Sequence, residues 1–384
     1  MTPTAPITAL PPTLHWEEGG ATQTARWRSE AGATPPKRVV VADDLTKADT
    51  AYQLACEGTA LLWRGDFQNA RQLLQAMGRR AEKRPRKTAS ITEAFHQHRM
   101  AQAQRARTLG LLLIPVDGDY AIPLRRAPDV TGALGEAWGA ADGEPSVVSL
   151  RELQGLIGAH EWRKKGVPIP ALGESIHPHY GVFSPVRGEY IDLVAEAPLP
   201  SALETASLAF DIGTGTGVLA AVLARRGVRR IVGTDRDPRA LACARENIDR
   251  LGLGRQVKLV EADLFPEGRA PLIVCNPPWL PGKVAAPIEG AVYDPDSRML
   301  KGFLAGLKDH LAPDGEGWLI LSDFAEHLGL RQRGEVLRLI EAAGLKVVER
   351  HDTRPTHKKA ADRSDPLYLA RVAEKTSLWR LAAD

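Results

Sequence analysis

Four short apolar runs in the second half of the chain, Leu208–Phe210, Ile231–Thr234, Val257–Val260 and Leu272–Cys275, each end in a polar or glycine-bearing tip, and helix-length segments separate them. Strands alternating with helices in this way build a parallel sheet whose connections cross over its faces. In such sheets ligands bind beyond the carboxyl ends of the strands. The tips are therefore where chemistry is expected. They read Asp211-Ile212-Gly213-Thr214-Gly215-Thr216-Gly217, then Asp235-Arg236-Asp237, Glu261-Ala262-Asp263-Leu264 and Asn276-Pro277-Pro278-Trp279.

The first tip places glycines where the backbone must turn sharply and approach a ligand, ahead of a helix at Val218 to Arg226 whose start offers free N–H groups. Dinucleotide-binding enzymes use a similar turn, but their fingerprint wants a last glycine where this chain has Val218. A carboxylate at Asp235 can accept both hydroxyls of a ribose, a role common to nicotinamide and S-adenosylmethionine sites. Asp237 followed by Pro238 reads as an N-cap and a first-turn proline. Asp263 can accept a hydrogen bond from an adenine amino group, with the Leu264 N–H facing a ring nitrogen.

The fourth tip is the most specific. Two prolines cannot donate to a ladder or continue a strand, so the chain leaves the sheet in a stiff conformation at its carboxyl edge. The Asn276 side-chain oxygen and the Pro277 carbonyl can then accept both hydrogens of a substrate –NH2. That draws the nitrogen toward tetrahedral geometry and aims its lone pair at an electrophilic methyl group, while Trp279 offers a flat face to a planar amide or base. An amide or aryl amine is a poor nucleophile, so catalysis rests on positioning and no residue is required as a general base.

From Leu208 to Leu381 the sequence resembles the class I S-adenosylmethionine-dependent methyltransferases, in particular the group with an Asn-Pro-Pro-[Tyr/Phe/Trp] motif. Within that group it is similar to the protein-(glutamine-N5) methyltransferases that modify peptide release factors and a ribosomal protein, and to the small-domain methyltransferases acting on ribosomal RNA guanine N2. The segment GVFSPVRGEYIDLV resembles the short element both subgroups place before the first strand, which in the glutamine enzymes reads closer to LIPRPETE. Trp279 stands where Tyr or Phe is more usual.

The resemblance implies an α/β, Rossmann-like seven-stranded methyltransferase sheet with its last strand antiparallel, and S-adenosyl-L-methionine as cofactor. It implies that Asp211, Gly213, Gly215 and Gly217 line the methionine part, Asp235 holds the ribose and Asp263 the adenine, with Thr214, Arg236, Leu264 and Asn276 in the same pocket. Asn276, Pro277, Pro278 and Trp279 would hold the target nitrogen. The first expectation is methylation of glutamine N5 in a translation-related protein, a release factor or ribosomal protein. The alternatives are a nucleobase amine (rRNA guanine N2 or adenine N6) and, more remotely, a small-molecule amine or amide.

The length of 384 residues fits two domains. Residues 1–38, rich in Pro, Thr and Ala, read as a flexible arm with one strand at Arg38–Val41. Residues 39–175 read as a separate α+β recognition domain with two helices between Leu45 and Arg80 broken near Gly65, a hairpin of Leu109–Val116 with Tyr120–Pro123, a glycine-rich segment at 132–143 and a helix at Ser149–Trp162. Residues 176–204 read as a linker and 205–384 as the methyltransferase domain, which ends in a basic loop from His351 to Lys375 and a closing strand at Ser377–Leu381. His177 and His179 lack a nearby carboxylate or cysteine, so packing or hydrogen bonding is expected of them and no metal site is assigned.

Net charge is only +3, so only its distribution can speak for a polyanionic partner. Basic residues cluster from Arg79 to Arg107 and recur at Lys358 and Lys359, a possible RNA-binding surface, although a solvated helix face accounts for such a cluster equally simply. The three cysteines are far apart in sequence, which points to a reducing compartment. The first residues lack a signal-peptide pattern, and the longest apolar run, Leu109–Val116, is far too short to cross a membrane. A cytoplasmic protein is expected.

Overall fold

The computed structural model describes residues 12–82, 88–284, 287–355, 362–363 and 365–384. The chain divides into two compact units, residues 1–86 with 97–160 and residues 87–96 with 161–384.

The first unit holds a six-stranded mixed sheet of β1 (Thr13–Glu18), β2 (Ala21–Arg28), β3 (Arg38–Ala42), β4 (Thr59–Trp63), β5 (Leu112–Val116) and β6 (Ser146–Ser149), in the order β1-β2-β6-β5-β4-β3. Its helices are α1 (Ala48–Cys56), α2 (Phe67–Ala81), α3 (Ile91–Leu109), α4 (Thr131–Trp138) and α5 (Leu150–Lys165), of which α3 begins and α5 ends in the second unit. Three expectations are corrected here. The arm of residues 1–38 contains β1 and β2, a hairpin turned at Gly19 and Gly20 with φ of 63° and 79°, the left-handed pair a tight two-residue turn requires. Alternation buries Leu14, Trp16, Ala25 and Trp27 against Leu62, Leu113 and Val147, which the Pro and Thr content of the arm concealed. Leu61 and Leu62 belong to β4 rather than to a helix, because a five-residue run that is buried throughout fits either element by pattern. The expected hairpin partner of β5 is also wrong: β5 pairs antiparallel with β6. Asp66 caps α2 as expected, accepting from the Gln68 N–H at 2.8 Å.

The second unit opens with a two-stranded ribbon, β7 (Val167–Ile169) and β8 (Glu174–Ile176), followed by α6 (Glu189–Glu196) and α7 (Ala202–Thr205). The span expected as a linker therefore carries structure: Tyr190, Ile191 and Val194 of α6 are buried in the same core as the glycine-turn helix. The main sheet has seven strands, β9 (Leu208–Ile212), β10 (Arg230–Asp235), β11 (Val257–Glu261), β12 (Ala270–Cys275), β13 (Leu311–Ser322), β14 (Leu345–Thr353) and β15 (Thr376–Ala383). They lie in the order β11-β10-β9-β12-β13-β15-β14, and β15 runs antiparallel to both neighbours.

Helices cover both faces, as an all-apolar parallel sheet demands. On one side α8 (Val218–Arg225) and α9 (Pro238–Arg250) pack with Ala209, Leu272 and Val274. On the other, α10 (Arg298–His310) and α12 (Glu335–Ala342) pack with Phe210, Ile212, Ile273 and Cys275. The stretch from His351 is not one loop, since β14 runs to Thr353 and a helix at Tyr368–Ala373, α13, follows α11 (Phe324–His327) into a third cluster with Phe95 and Leu280. Strand β13 runs through Pro313-Asp314-Gly315, where Asp314 has a φ of 57° and the pairing with β12 shifts register.

Candidate active site

Sheet register brings the four tips together. Strand β9 pairs on one side with β10, Thr234 opposite Ile212, and on the other with β12, Cys275 opposite Ile212. One step further along each strand, Asp235 and Asn276 flank Gly213. Chain order reverses direction between β9 and β12, the switch point where an open α/β sheet leaves a crevice. Strand β11 pairs Glu261 with Asp235, which sets Asp263 just past the rim.

The glycine turn is shaped for close approach. Gly213, Gly215 and Gly217 have φ of 70°, 54° and 80°, left-handed values that side chains resist. A Cβ on Gly213 would lie 2.5 Å from the Met299 Cε, the tip of a side chain that would have to shift to admit it. Asp211, 1% exposed, sits beneath the turn. Its Oδ2 accepts from the Thr214 hydroxyl at 2.7 Å and the Ala220 N–H at 3.1 Å, while its Oδ1 is buried without a partner among the described residues. Burial, with Asp235 nearby, pushes its carboxyl up to about 6. Asp235 accepts from the Gly215 N–H at 3.1 Å and the Asp237 N–H at 3.0 Å, and burial raises its pKa too. These bonds turn the carboxylate toward the glycine loop, and Arg236 beside it is exposed.

At the third tip the Thr234 hydroxyl donates to the Leu264 carbonyl at 2.6 Å, and Leu264 has a φ of 78°. Asp263 is exposed and paired with Arg298. At the fourth, the Trp279 indole N–H donates to the Asn276 Oδ1 at 2.9 Å, while Pro277 is buried and Pro278 half-buried. The structure thus brings together Asp211, Gly213, Thr214, Gly215, Gly217, Asp235 and Asn276, and places Asp263 and Leu264 at the rim with Arg236. A buried acid with a free oxygen, a turn of three left-handed glycines and a second, half-buried carboxylate fit S-adenosylmethionine, whose ammonium and hydroxyls are donors.

Several contributors escaped the sequence reading. Arg298 and Met299 open α10, and the Asp294 carboxylate accepts from the Met299 and Leu300 N–H groups at 3.0 and 3.1 Å. An Asp-Pro step ahead of an apolar helix is a capping signal that could have revealed this. Arg187 lies over the Trp279 ring, 4.8 Å from its centre. It donates to Glu189 at 2.7 Å and to Glu374 at 3.1 Å. Arg331, 4% exposed, reaches the Trp279 carbonyl at 3.4 Å. No local pattern announces these two arginines.

Asn247, buried on α9, accepts from the His177 N–H at 2.8 Å and donates to the His177 and Thr216 carbonyls, both at 3.2 Å. His179 meets Glu246 at 2.9 Å. Both histidines therefore dock the segment before α6 onto α9 and the glycine turn.

Of the basic surface, Arg80 pairs with Asp49 at 2.6 Å and Arg105 faces Glu82 at 3.8 Å. A cavity of about 490 Å3 lies there, lined by Leu74, Arg79, Arg105, Leu109 and Arg151 among others. Lys83, Arg84, Arg86, Lys87, Lys358 and Lys359 lie outside the described residues. No described helix is long and apolar enough to cross a membrane.

Residues 174–333 match the family described as methyltransferase small domain. Over 261 residues the chain is 30% identical to the ribosomal protein L11 methyltransferase of Pelotomaculum thermopropionicum, covering 62% of this chain and 74% of that protein. Over 155 residues it is 36% identical to the release factor glutamine methyltransferase of Cereibacter sphaeroides, covering 35% of this chain and 51% of that one. Among solved structures, ribosomal protein L11 methylase from Lactobacillus delbrueckii subsp. bulgaricus aligns with a TM-score of 0.37 at 17% identity, over 55% of this chain and 86% of that one.

Proposed function

The chain belongs to the methyltransferase small domain family of S-adenosylmethionine-dependent methyltransferases, and from that premise we propose that it methylates a planar amide nitrogen, glutamine N5 of a translation-related protein. The observation that carries this reading is the placement of Asn276 one step beyond the Cys275–Ile212 pair, beside the glycine turn. Bound cofactor supplies a methyl carbon on a sulfonium sulfur, an electrophile for a nitrogen lone pair. Gly213, Gly215 and Gly217 would give the room to seat it, Asp211 would hold its ammonium and Asp235 its ribose.

The protein's part in the reaction is positional. Asn276 keeps one oxygen lone pair for an acceptor N–H after the indole has taken the other, and the Pro277 carbonyl offers a second acceptor. Holding both amide hydrogens restrains the nitrogen so that its lone pair points into the crevice. Forming the nitrogen–methyl bond would break the methyl–sulfur bond, with its electron pair staying on sulfur, and one of the two held protons would pass to solvent. The names of the two relatives above support a protein acceptor.

The test incubates the protein with methyl-labelled S-adenosylmethionine and either total protein or ribosomal RNA from a strain lacking the gene. Label is expected in protein, and acid hydrolysis should release it as methylamine, since an N-methyl amide is cleaved whereas an N-methyl amine survives. Label in RNA alone would overturn the reading in favour of a nucleobase acceptor, for which the Arg79 to Arg107 surface is the supporting feature.

A further inference from the structure

The indole of Trp279 is engaged at its edge and on one face, and the two engagements come from different parts of the chain. An indole nitrogen can only donate. The Asn276 atom 2.9 Å from it is therefore the amide oxygen, and the –NH2 end of that side chain is turned the other way. A Tyr or Phe ring carries no donor at this edge, so the orientation of Asn276 is tied to the tryptophan. The ring is held in turn by Arg187, whose guanidinium carbon lies over it, 4.8 Å from its centre.

Arg187 is fixed behind the ring. Its Nε donates to Glu189 at 2.7 Å and an NH2 group to Glu374 at 3.1 Å, and the two carboxylate side chains are 5% and 0% exposed. The Ser322 hydroxyl at the end of β13 also donates to Glu374, at 2.7 Å. A buried ion pair alone would be a structural feature. Here the cation lies over the ring of the residue that orients the acceptor-binding amide, and the same indole packs against the apolar side chains on both faces of the sheet.

We propose that Arg187, clamped by Glu189 and Glu374, is a positioning residue for methyl transfer that acts through Trp279 to hold the Asn276 oxygen toward the acceptor nitrogen. The proposal rests on the amide-acceptor reading above and deepens it: the corner selects an –NH2 group whose hydrogens meet the Asn276 oxygen in the orientation that the Trp279 indole N–H fixes.

The test uses Arg187→Lys, which keeps the charge but loses the guanidinium over the ring and the two-armed clamp, and Arg187→Met. In 15N-labelled protein the Trp279 indole N–H signal is identified by its loss in Trp279→Phe. Its hydrogen exchange is expected to accelerate by about tenfold or more in Arg187→Met, with an intermediate effect in Arg187→Lys. In label transfer to the protein fraction, kcat should fall about tenfold in both variants while the KM for S-adenosylmethionine stays within about twofold. Unchanged indole exchange would overturn the proposal, as would a loss of activity carried by the cofactor KM alone. If wild type labels RNA instead, the acceptor reading fails while the exchange result still decides the Arg187 link. If wild type labels protein and the Arg187 variants match its kcat, only the Arg187 link fails.

Discussion

Replacing Asp211 by Asn should make the cofactor-free protein more stable at neutral pH and a weaker binder of S-adenosylmethionine. The carboxyl is fully buried with one oxygen unpartnered, and burial lifts it to about 6. Against about 3.9 for a solvated aspartate, that gap converts to roughly 3 kcal/mol. The folded chain holds this proton more tightly than the unfolded chain does. The cost is therefore absent below about pH 4, grows as pH rises, and is complete above about 6. Asparagine keeps an oxygen for the Thr214 hydroxyl and the Ala220 N–H and cannot ionise. In urea unfolding, the stability difference between variant and wild type should widen by about 2–3 kcal/mol from pH 4 to pH 7 in the variant's favour. Titration calorimetry should show the opposite ranking for function, with affinity reduced about 10- to 100-fold at pH 7.5, the scale of a hydrogen bond to a charged group. Wild-type affinity should also fall as pH drops through about 6. A stability difference that is the same at both pH values would refute the account of Asp211 as a strained acid kept for the ligand.

Asn276→Ala should leave cofactor affinity within about twofold by calorimetry and lower kcat by about tenfold or more in the label-transfer assay, because the contact it removes belongs to the acceptor. Gly217→Ala should lose roughly 1–2 kcal/mol in urea unfolding, since Gly217 sits at a φ of 80° and an added Cβ would press on Ala244 at 3.3 Å.

The second unit was legible because its signals are local. Each apolar run is short and ends in a residue with a backbone role: glycine for a left-handed turn, Asp237 as a cap, two prolines to leave the sheet. These are read from neighbours in sequence, and the seven-stranded order follows from them together with the resemblance. The first unit was misread where burial is complete, as in β4, because a run buried on both faces carries no period. It was misread again where polar strands disguised themselves as an arm, as in β1 and β2. In the site, every residue placed on a strand tip was found there. What escaped was held by long-range contacts: Arg187 reaches Glu374 across most of the unit, and Arg298 meets Asp263 only because α10 begins above β11.

Charge around the acceptor corner bears on what it can accept. Behind Trp279, the guanidinium groups of Arg187 and Arg331 face the carboxylates of Glu189, Glu374 and Asp294, all in ground too buried for salt to screen well. Arg187 is already engaged by two carboxylates and Arg331 is 4% exposed, so these two cations offer little to a polyanion's phosphates, whereas a neutral amide needs no such partner. Without phosphate neutralisation there is no counterion release to lose. The acceptor KM in the protein-labelling assay should then change by less than about tenfold between about 50 and 200 mM salt, where phosphate-contacting proteins lose about 10³- to 10⁵-fold in affinity. A steep salt slope would mean that the cationic surface of the first unit, rather than the corner, governs acceptor binding, and would turn the choice of acceptor toward nucleic acid.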